Sequence, residues 1–151
     1  MTKITTELIK ELRDSTGISV GECKRALEEA DGDIEKAKEV LKRKGAAIAK
    51  KKAERELGSG YIYAYVHGDG KIGAMVEMKC ETDFVAKNEV FRNLAKEVAM
   101  QVAATAPESR DALLAEPSIR DGATTIRAMV EGATQKTGER IEIGRFERFE
   151  A

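Results

Sequence analysis

Gly58-Ser59-Gly60-Tyr61-Ile62-Tyr63-Ala64-Tyr65-Val66-His67-Gly68-Asp69-Gly70, residues 58–70, is where the chain changes its hydrophobic period. Upstream, apolar residues recur every three or four positions; from Tyr61 onward they recur every two. Successive strand side chains point to opposite sheet faces, so Tyr61, Tyr63 and Tyr65 share one side and Ile62, Ala64 and Val66 the other. His67-Gly68-Asp69-Gly70 reads as a turn, with Asp-Gly a favoured hairpin pair. The return segment alternates Ile72, Ala74, Val76, Met78 and Cys80 with Gly73, Met75, Glu77, Lys79 and Glu81. An antiparallel hairpin with one apolar face is predicted, and Gly58-Ser59-Gly60 marks the boundary in front of it.

Working toward the C-terminus, Asn88 is placed to cap a long helix whose Val90, Phe91, Leu94, Ala95, Val98 and Val102 form a wide apolar stripe. That helix stops by Pro107, because proline lacks the N–H a helix interior requires. Residues 108–121 are the least readable stretch and suggest an irregular turn with a short helix between Pro107 and Pro117. A second helix carries Ile126, Met129, Val130 and Ala133 and ends at Gly138. The chain closes with a strand over 141–149, whose alternation slips between Ile143 and Phe146 and so predicts a bulge near Gly144. The order strand, strand, helix, helix, strand predicts a small antiparallel sheet with helices packed on one face. This α+β core is assigned to 61–151.

Working toward the N-terminus, Ile4, Leu8, Ile9 and Leu12 give a helical stripe stopped at Ser15-Thr16-Gly17. Ser19-Val20-Gly21-Glu22 has the capping-box pattern, with Ile18 and Cys23 spaced for a hydrophobic staple. The following helix carries Val20, Cys23, Leu27 and Ala30 on one face. Asp31-Gly32 breaks it, Asp33 caps the next, and that third helix buries Ile34, Ala37, Val40 and Leu41 before Gly45 ends it in a left-handed cap. Three short helices with single stripes satisfy them only against one another, so a three-helix module is expected over 1–45. Residues 46–60 are expected to be a basic linker helix.

The 151 residues carry 35% charged side chains yet a net charge of only −1, so the chain as a whole is no polyanion binder. Residues 42–56 differ: seven bases face Glu54 and Glu56, a local excess of 5. Such a run is either a solvated helix face or a contact surface for an acidic partner or RNA phosphates. With 5% aromatics and no Trp, few rings are left for base stacking, and nucleic acid is not expected as a partner. No apolar run approaches the ~18–20 residues a membrane span requires. The start has neither the apolar stretch of a secretory signal nor an Arg-rich transit pattern. The two cysteines, Cys23 and Cys80, do not make a disulfide scaffold, which favours a reducing cytoplasm.

Catalytic chemistry is not legible. His67, the only histidine, and Cys80 would lie at opposite ends of the hairpin, which argues against a nucleophile–base pair. Gly68-Asp69-Gly70 lacks the Lys-Ser/Thr ending of a phosphate loop. No His/Cys group has zinc spacing, and Asp31-Gly32-Asp33 lacks the further ligands of a calcium loop. No catalytic residue, metal ligand or cofactor is assigned, and a binding function is expected.

Cys80-Glu81-Thr82-Asp83-Phe84-Val85-Ala86-Lys87-Asn88, between strand and long helix, sets an aromatic beside an acid at a connection. Phe84 is there either a core side chain or a contact residue, and Asp83 either a cap or a contact. The segment resembles the Thr-Asp-Phe-Val signature of the elongation factor Ts family. Ile9-Lys10-Glu11-Leu12-Arg13 with Thr16-Gly17 is similar to the family's N-terminal motif. Cys23-Lys24-Arg25-Ala26-Leu27 with Asp31-Gly32-Asp33 resembles its ubiquitin-associated-type module, and Gly45-Ala46 to Lys52 the basic connection after it. Gly138-Glu139-Arg140-Ile141 is similar to its closing Gly-Glu-Asn-Ile, with Arg140 in place of the usual Asn. The resemblance covers about 3–102 and 136–149.

That resemblance implies a guanine-nucleotide exchange factor of the cytoplasm, not an enzyme with covalent chemistry, whose partner is elongation factor Tu. It implies that Thr82, Asp83, Phe84 and Val85 disturb the partner's magnesium and nucleotide site, and that Arg13, Ser19 and Val20 anchor the N-terminal module. Many members carry two methionines where this chain has Ser19 and Val20, so that contact is reshaped. There is no room between Val102 and Lys136 for a second core subdomain, which implies a compact form and, with it, a homodimer. Tyr61, Tyr63, Tyr65, Phe146 and Phe149 are candidate dimer residues, unless helices cover both sheet faces in a monomer. Competing readings are a ubiquitin-binding or ribosome-docking adaptor acting through 1–45 and an RNA-binding ribosomal accessory protein acting through 42–55.

Overall fold

The alternation around residues 58–70 becomes a hairpin in the computed structural model, which describes residues 2–151. Strand β1 (Ser59–His67) pairs antiparallel with β2 (Ile72–Cys80), in register from Ser59 opposite Cys80 to His67 opposite Ile72. The connection is a four-residue loop rather than a two-residue turn. Gly68 and Gly70 take positive φ, and the Gly70 N–H donates to the His67 carbonyl at 3.0 Å. His67 and Cys80 are therefore held at opposite ends of the hairpin, and His67 Nδ1 instead meets the Tyr65 hydroxyl at 2.7 Å.

The closing strand β3 (Glu142–Glu150) lies on the far side of β2, giving the order β1-β2-β3. Its slip is a real bulge. Val76 faces Phe146 and Met78 faces Ile143, so Gly144 and Arg145 together oppose Glu77. The Glu77 carboxylate turns into the gap, accepting the Arg145 N–H at 3.3 Å and its guanidinium at 3.1 Å. Gly144 permits this, since a Cβ there would run into that same carboxylate.

One sheet face is covered. Ala74, Val76, Met78, Cys80 and Ile143 are buried with residues of α5 (Glu89–Thr105) and α7 (Ile126–Thr137). Asn88 caps α5 as expected, its Oδ1 accepting the Val90 N–H at 2.8 Å. The helix ends at Ala106, which takes φ 49° just before Pro107. Tyr61, Tyr63, Tyr65 and Phe146 pack against this core. The expectation that they form a free surface is corrected, because they share the helix-facing side with Val76 and Ala74. Of the five proposed dimer residues only Phe149 is exposed, on the opposite face with Ile62, Val66 and Met75.

The stretch over 108–121 does contain a short helix, α6 (Arg110–Ala115), capped by Ser109. What orders the rest is a buried amide. Gln101 of α5 donates to Glu116 at 2.9 Å and to the Pro117 carbonyl at 3.1 Å, and accepts the Ile119 N–H at 2.9 Å. A buried side-chain amide has to be satisfied, and here irregular backbone satisfies it.

Ahead of the sheet, α1 (Thr6–Thr16), α2 (Val20–Glu29) and α3 (Ile34–Lys51) enclose a second apolar cluster built on Leu12, Ile18, Cys23, Leu27, Val40 and Leu41. Gly17 ends α1 at φ 69°, and Ser19 and Asp33 cap α2 and α3. Three expectations are corrected here. The capping box is half formed: the Ser19 hydroxyl accepts the Glu22 N–H, but the Glu22 carboxylate accepts from Arg25. Val20 faces solvent, not the buried stripe. And Gly45 does not end α3, which runs on to Lys51.

Gly45 is buried against α7, and a Cβ on it would lie 2.7 Å from Gln135 Oε1. The Gln135 amide end can move, and the Glu131 carbonyl would stand at an ordinary 3.8 Å, so Gly45 marks a contact between two helices rather than a helix stop. Helical geometry thus covers only the front of the expected 46–60 linker; the chain beyond Lys52 is turn and irregular up to β1. Much of the basic run ties the chain to itself. Arg43 and Lys44 pair with Glu29 at 2.6 and 3.2 Å, Arg55 pairs with Glu81 at 3.6 Å, and Lys52 donates to the Gly138 carbonyl at 2.8 Å. Among the described residues no helix is long and apolar enough to cross a membrane.

Candidate functional site

The β2 strand leaves the sheet at Cys80 and passes at once into α4 (Asp83–Ala86), a single helical turn. Thr82 is its N-cap: the residue is extended, and its hydroxyl oxygen accepts the Val85 N–H at 3.4 Å. The Asn88 N–H closes the turn on the Val85 carbonyl at 2.9 Å, and Asn88 then caps α5. With two helix starts this close together, one turn must send consecutive side chains in opposite directions. Val85 and Ala86 go into the core, while Phe84 points out with 82% of its surface exposed. No other large apolar side chain among the described residues is so exposed.

The turn is pinned at several points. Both carboxylate oxygens of Glu139, just after α7, go to Thr82: Oε1 accepts the N–H at 3.0 Å and Oε2 the hydroxyl at 2.6 Å. Ser59, the first residue of β1, donates its hydroxyl to Asp83 at 2.5 Å. The Cys80 thiol donates to the Thr82 carbonyl at 3.3 Å. Burial first, and the nearby Glu139 carboxylate second, push that thiol above its ordinary pKa, so it stays protonated and a poor nucleophile. Glu81 is held from the other side by Arg55 at 3.6 Å and by the Arg140 N–H at 3.1 Å.

Of the residues read from sequence, Thr82, Asp83, Phe84 and Val85 thus come together on one turn, with unequal parts. Phe84 is free to meet a partner. Asp83 is exposed but holds Ser59, Thr82 is held by Glu139, and Val85, 3% exposed, can only anchor the turn from below. Arg13, Ser19 and Val20 lie elsewhere, at the end of α1 and the start of α2. All three are exposed, and Arg13 has no salt bridge among the described residues. No hydrogen bond or ion pair described joins them to the Phe84 turn. Between the two groups of helices runs an open groove of about 700 Å³, with Ile18, Leu41, Leu94 and Met129 in its lining and Lys42, Lys96 and Lys136 around them.

Glu139 and Ser59 were not singled out as site residues. Glu139 stands in the Gly138-Glu139-Arg140-Ile141 motif, which was the available signal, but a bond across 57 positions leaves no local pattern. Among the described residues no group of three or more His, Cys, Asp or Glu is arranged to hold a metal ion. An exposed aromatic on a braced turn offers a fixed apolar contact to another molecule.

A family model described as Elongation factor TS matches residues 81–151, from the Phe84 turn to the closing strand. The elongation factor Ts of Acetivibrio thermocellus is 48% identical over 149 residues, covering 97% of this chain and 69% of the relative. That of Desulforamulus reducens is 46% identical, covering 99% of this chain and 70% of its own length. The elongation factor Ts of Leptospira biflexa is 40% identical, with 97% of each chain covered. Its alignment runs over 192 positions against a chain of 151, so that relative has residues with no counterpart here. With identity of this level extending over both helical groups and the sheet, the chain belongs to the elongation factor Ts family.

Proposed function

We propose that this protein is a guanine-nucleotide exchange factor of translation elongation: it binds elongation factor Tu and promotes GDP release by disturbing the magnesium and nucleotide site. The observation that carries the reading is the exposure of Phe84 on a turn fixed by hydrogen bonds to Glu139 and Ser59. An apolar ring held out in water carries an unfavourable hydration free energy that a covering partner relieves. Inserted between helices of the GTPase, Phe84 acts as a wedge that favours the arrangement unable to hold nucleotide. The principle is reciprocity: whatever affinity the factor gains for the nucleotide-free form is lost from nucleotide binding. The factor accelerates release and rebinding alike and performs no covalent chemistry, so nucleotide concentrations decide which nucleotide is loaded.

In this reading α1–α3 are a ubiquitin-associated-like module that supplies affinity. Arg13 offers a guanidinium with no ion pair among the described residues, and Ser19 and Val20 a small exposed corner, to the GTPase surface. The division proposed from sequence, with 1–45 as module, 46–60 as linker and 61–151 as core, is kept as a functional one, although α3 physically spans its first border. A homodimer is proposed as well. Its surface is the exposed sheet face of Ile62, Val66, Met75 and Phe149, since the tyrosines are taken up by the core. The protein works in the cytoplasm, away from membranes, and nucleic acid is not its partner.

The test is release of fluorescent GDP from elongation factor Tu. Substoichiometric amounts of the chain should accelerate release with turnover. A rate unchanged by a stoichiometric excess of folded protein would overturn the assignment.

A further inference from the structure

The Phe84 turn is too small to hold its own orientation. Helix α4 has four residues, and its cap bond from Val85 to Thr82 is long at 3.4 Å. One isolated helical turn is unfavourable, because fixing its dihedrals is repaid by few hydrogen bonds, here chiefly the Ala86 and Lys87 N–H groups on the Thr82 and Asp83 carbonyls at 3.1 and 3.2 Å. Something outside it must set the direction of Phe84.

Resting on the proposed wedge role of Phe84, we propose that Glu139 is a positioning residue for exchange, a carboxylate clamp that aims the Phe84 ring through Thr82. Two bonds to one residue fix both the backbone and the side chain of Thr82, at 3.0 and 2.6 Å. Charged acceptors make the stronger kind of hydrogen bond, and a two-point contact restricts rotation that one contact allows. Glu139 is half-buried and has no salt bridge among the described residues. Its carboxylate is therefore satisfied by Thr82, not by a cation that would make it an ordinary ion-pair partner.

The clamp is itself held on both sides. Lys52 donates to the carbonyl of Gly138 at 2.8 Å, and the Arg140 N–H donates to Glu81 at 3.1 Å. The Arg140 guanidinium reaches the Arg55 carbonyl and Glu142. Part of the basic run after α3 thus braces the segment that holds the wedge. The N-terminal helices and the Phe84 turn are mechanically connected through Lys52, Gly138 and Glu139.

The experiment measures fluorescent-GDP release from elongation factor Tu over a range of chain concentrations. It compares wild type, Glu139→Gln, Glu139→Ala, Phe84→Ala and the Glu139→Ala/Phe84→Ala double variant, with thermal unfolding of each. Gln keeps the shape and one acceptor but loses the charge, and it carries the test should the Ala variant unfold. The clamp predicts a fall of at least about threefold in the maximal rate for Glu139→Ala, a smaller fall for Gln, and little change in the half-saturating concentration. It also predicts that adding Glu139→Ala to Phe84→Ala lowers the rate no further, because the carboxylate acts only through the ring. If Phe84→Ala slows release while Glu139 variants match wild type, or the two effects multiply, the clamp is wrong and the wedge stands. If Phe84→Ala exchanges normally, the wedge reading falls and the clamp with it.

Discussion

Phe84→Ala should separate stability from exchange, and the structure sets both magnitudes. A core phenylalanine truncated to alanine costs about 3–5 kcal/mol, mostly from lost burial and the cavity left behind. Phe84 is 82% exposed, so little burial and no enclosed cavity are at stake. The free protein should lose less than about 1 kcal/mol, a shift of a few degrees in Tm at most. The partner-bound state is another matter. A phenylalanine side chain offers on the order of 150–250 Å². Covering the exposed four-fifths at about 25 cal/mol per Å² gives roughly 3–5 kcal/mol as an upper bound. If only about half of that is realised against the distorted, nucleotide-free GTPase, the loss in rate is still at least about tenfold, since 1.4 kcal/mol is a factor of ten. Thermal unfolding and fluorescent-GDP release on the same preparation read the two quantities. A large drop in Tm would return the ring to a structural role, and a normal Tm with normal exchange would remove the wedge.

Other perturbations follow from the geometry. Gly45→Ala should change stability by less than about 1 kcal/mol, because its Cβ displaces only the movable Gln135 amide while helix propensity improves; a large loss in thermal melts would mean that α3 and α7 cannot give at this contact. Val66→Lys with Phe149→Lys should convert a dimer into a folded monomer, read by sedimentation, and a wild-type protein that stays monomeric at tens of micromolar would end the dimer proposal. Glu77 is held below the usual carboxylate range, first by the Arg145 guanidinium and then by the Arg145 N–H. A depressed folded pKa adds stability above the unfolded value and loses it as pH falls through the folded one. Denaturant titrations from neutral to acid pH should therefore show a steeper acid loss for wild type than for Glu77→Gln; parallel curves would refute the coupling.

What the residues determined by themselves is whatever depends on near neighbours along the chain. The period-two alternation after Gly60, the caps at Ser19, Asp33 and Asn88 and the stop at Pro107 are all local, and each was legible because its partners lie within a few positions; the bulge at Gly144 showed only as a slip in alternation, while the Glu77 that fills it lies on another strand. The turn bearing Phe84 could be located in the same way, but not the direction of its ring, since core and contact readings use the same letters. Tertiary structure decided the rest by bringing distant groups together. Gly45 looked like a helix stop and became a contact point because α7 happens to lie against it. The tyrosines looked like a free face and are half-buried against the core because α5 lies across that side of β1. Val20 looked buried and is exposed because the α1–α3 cluster closes without it. Glu139 became the partner of Thr82 only once α7 delivered it to the end of β2. A hydrogen bond between groups 57 residues apart depends on where the chain folds back, and no short-range pattern encodes it.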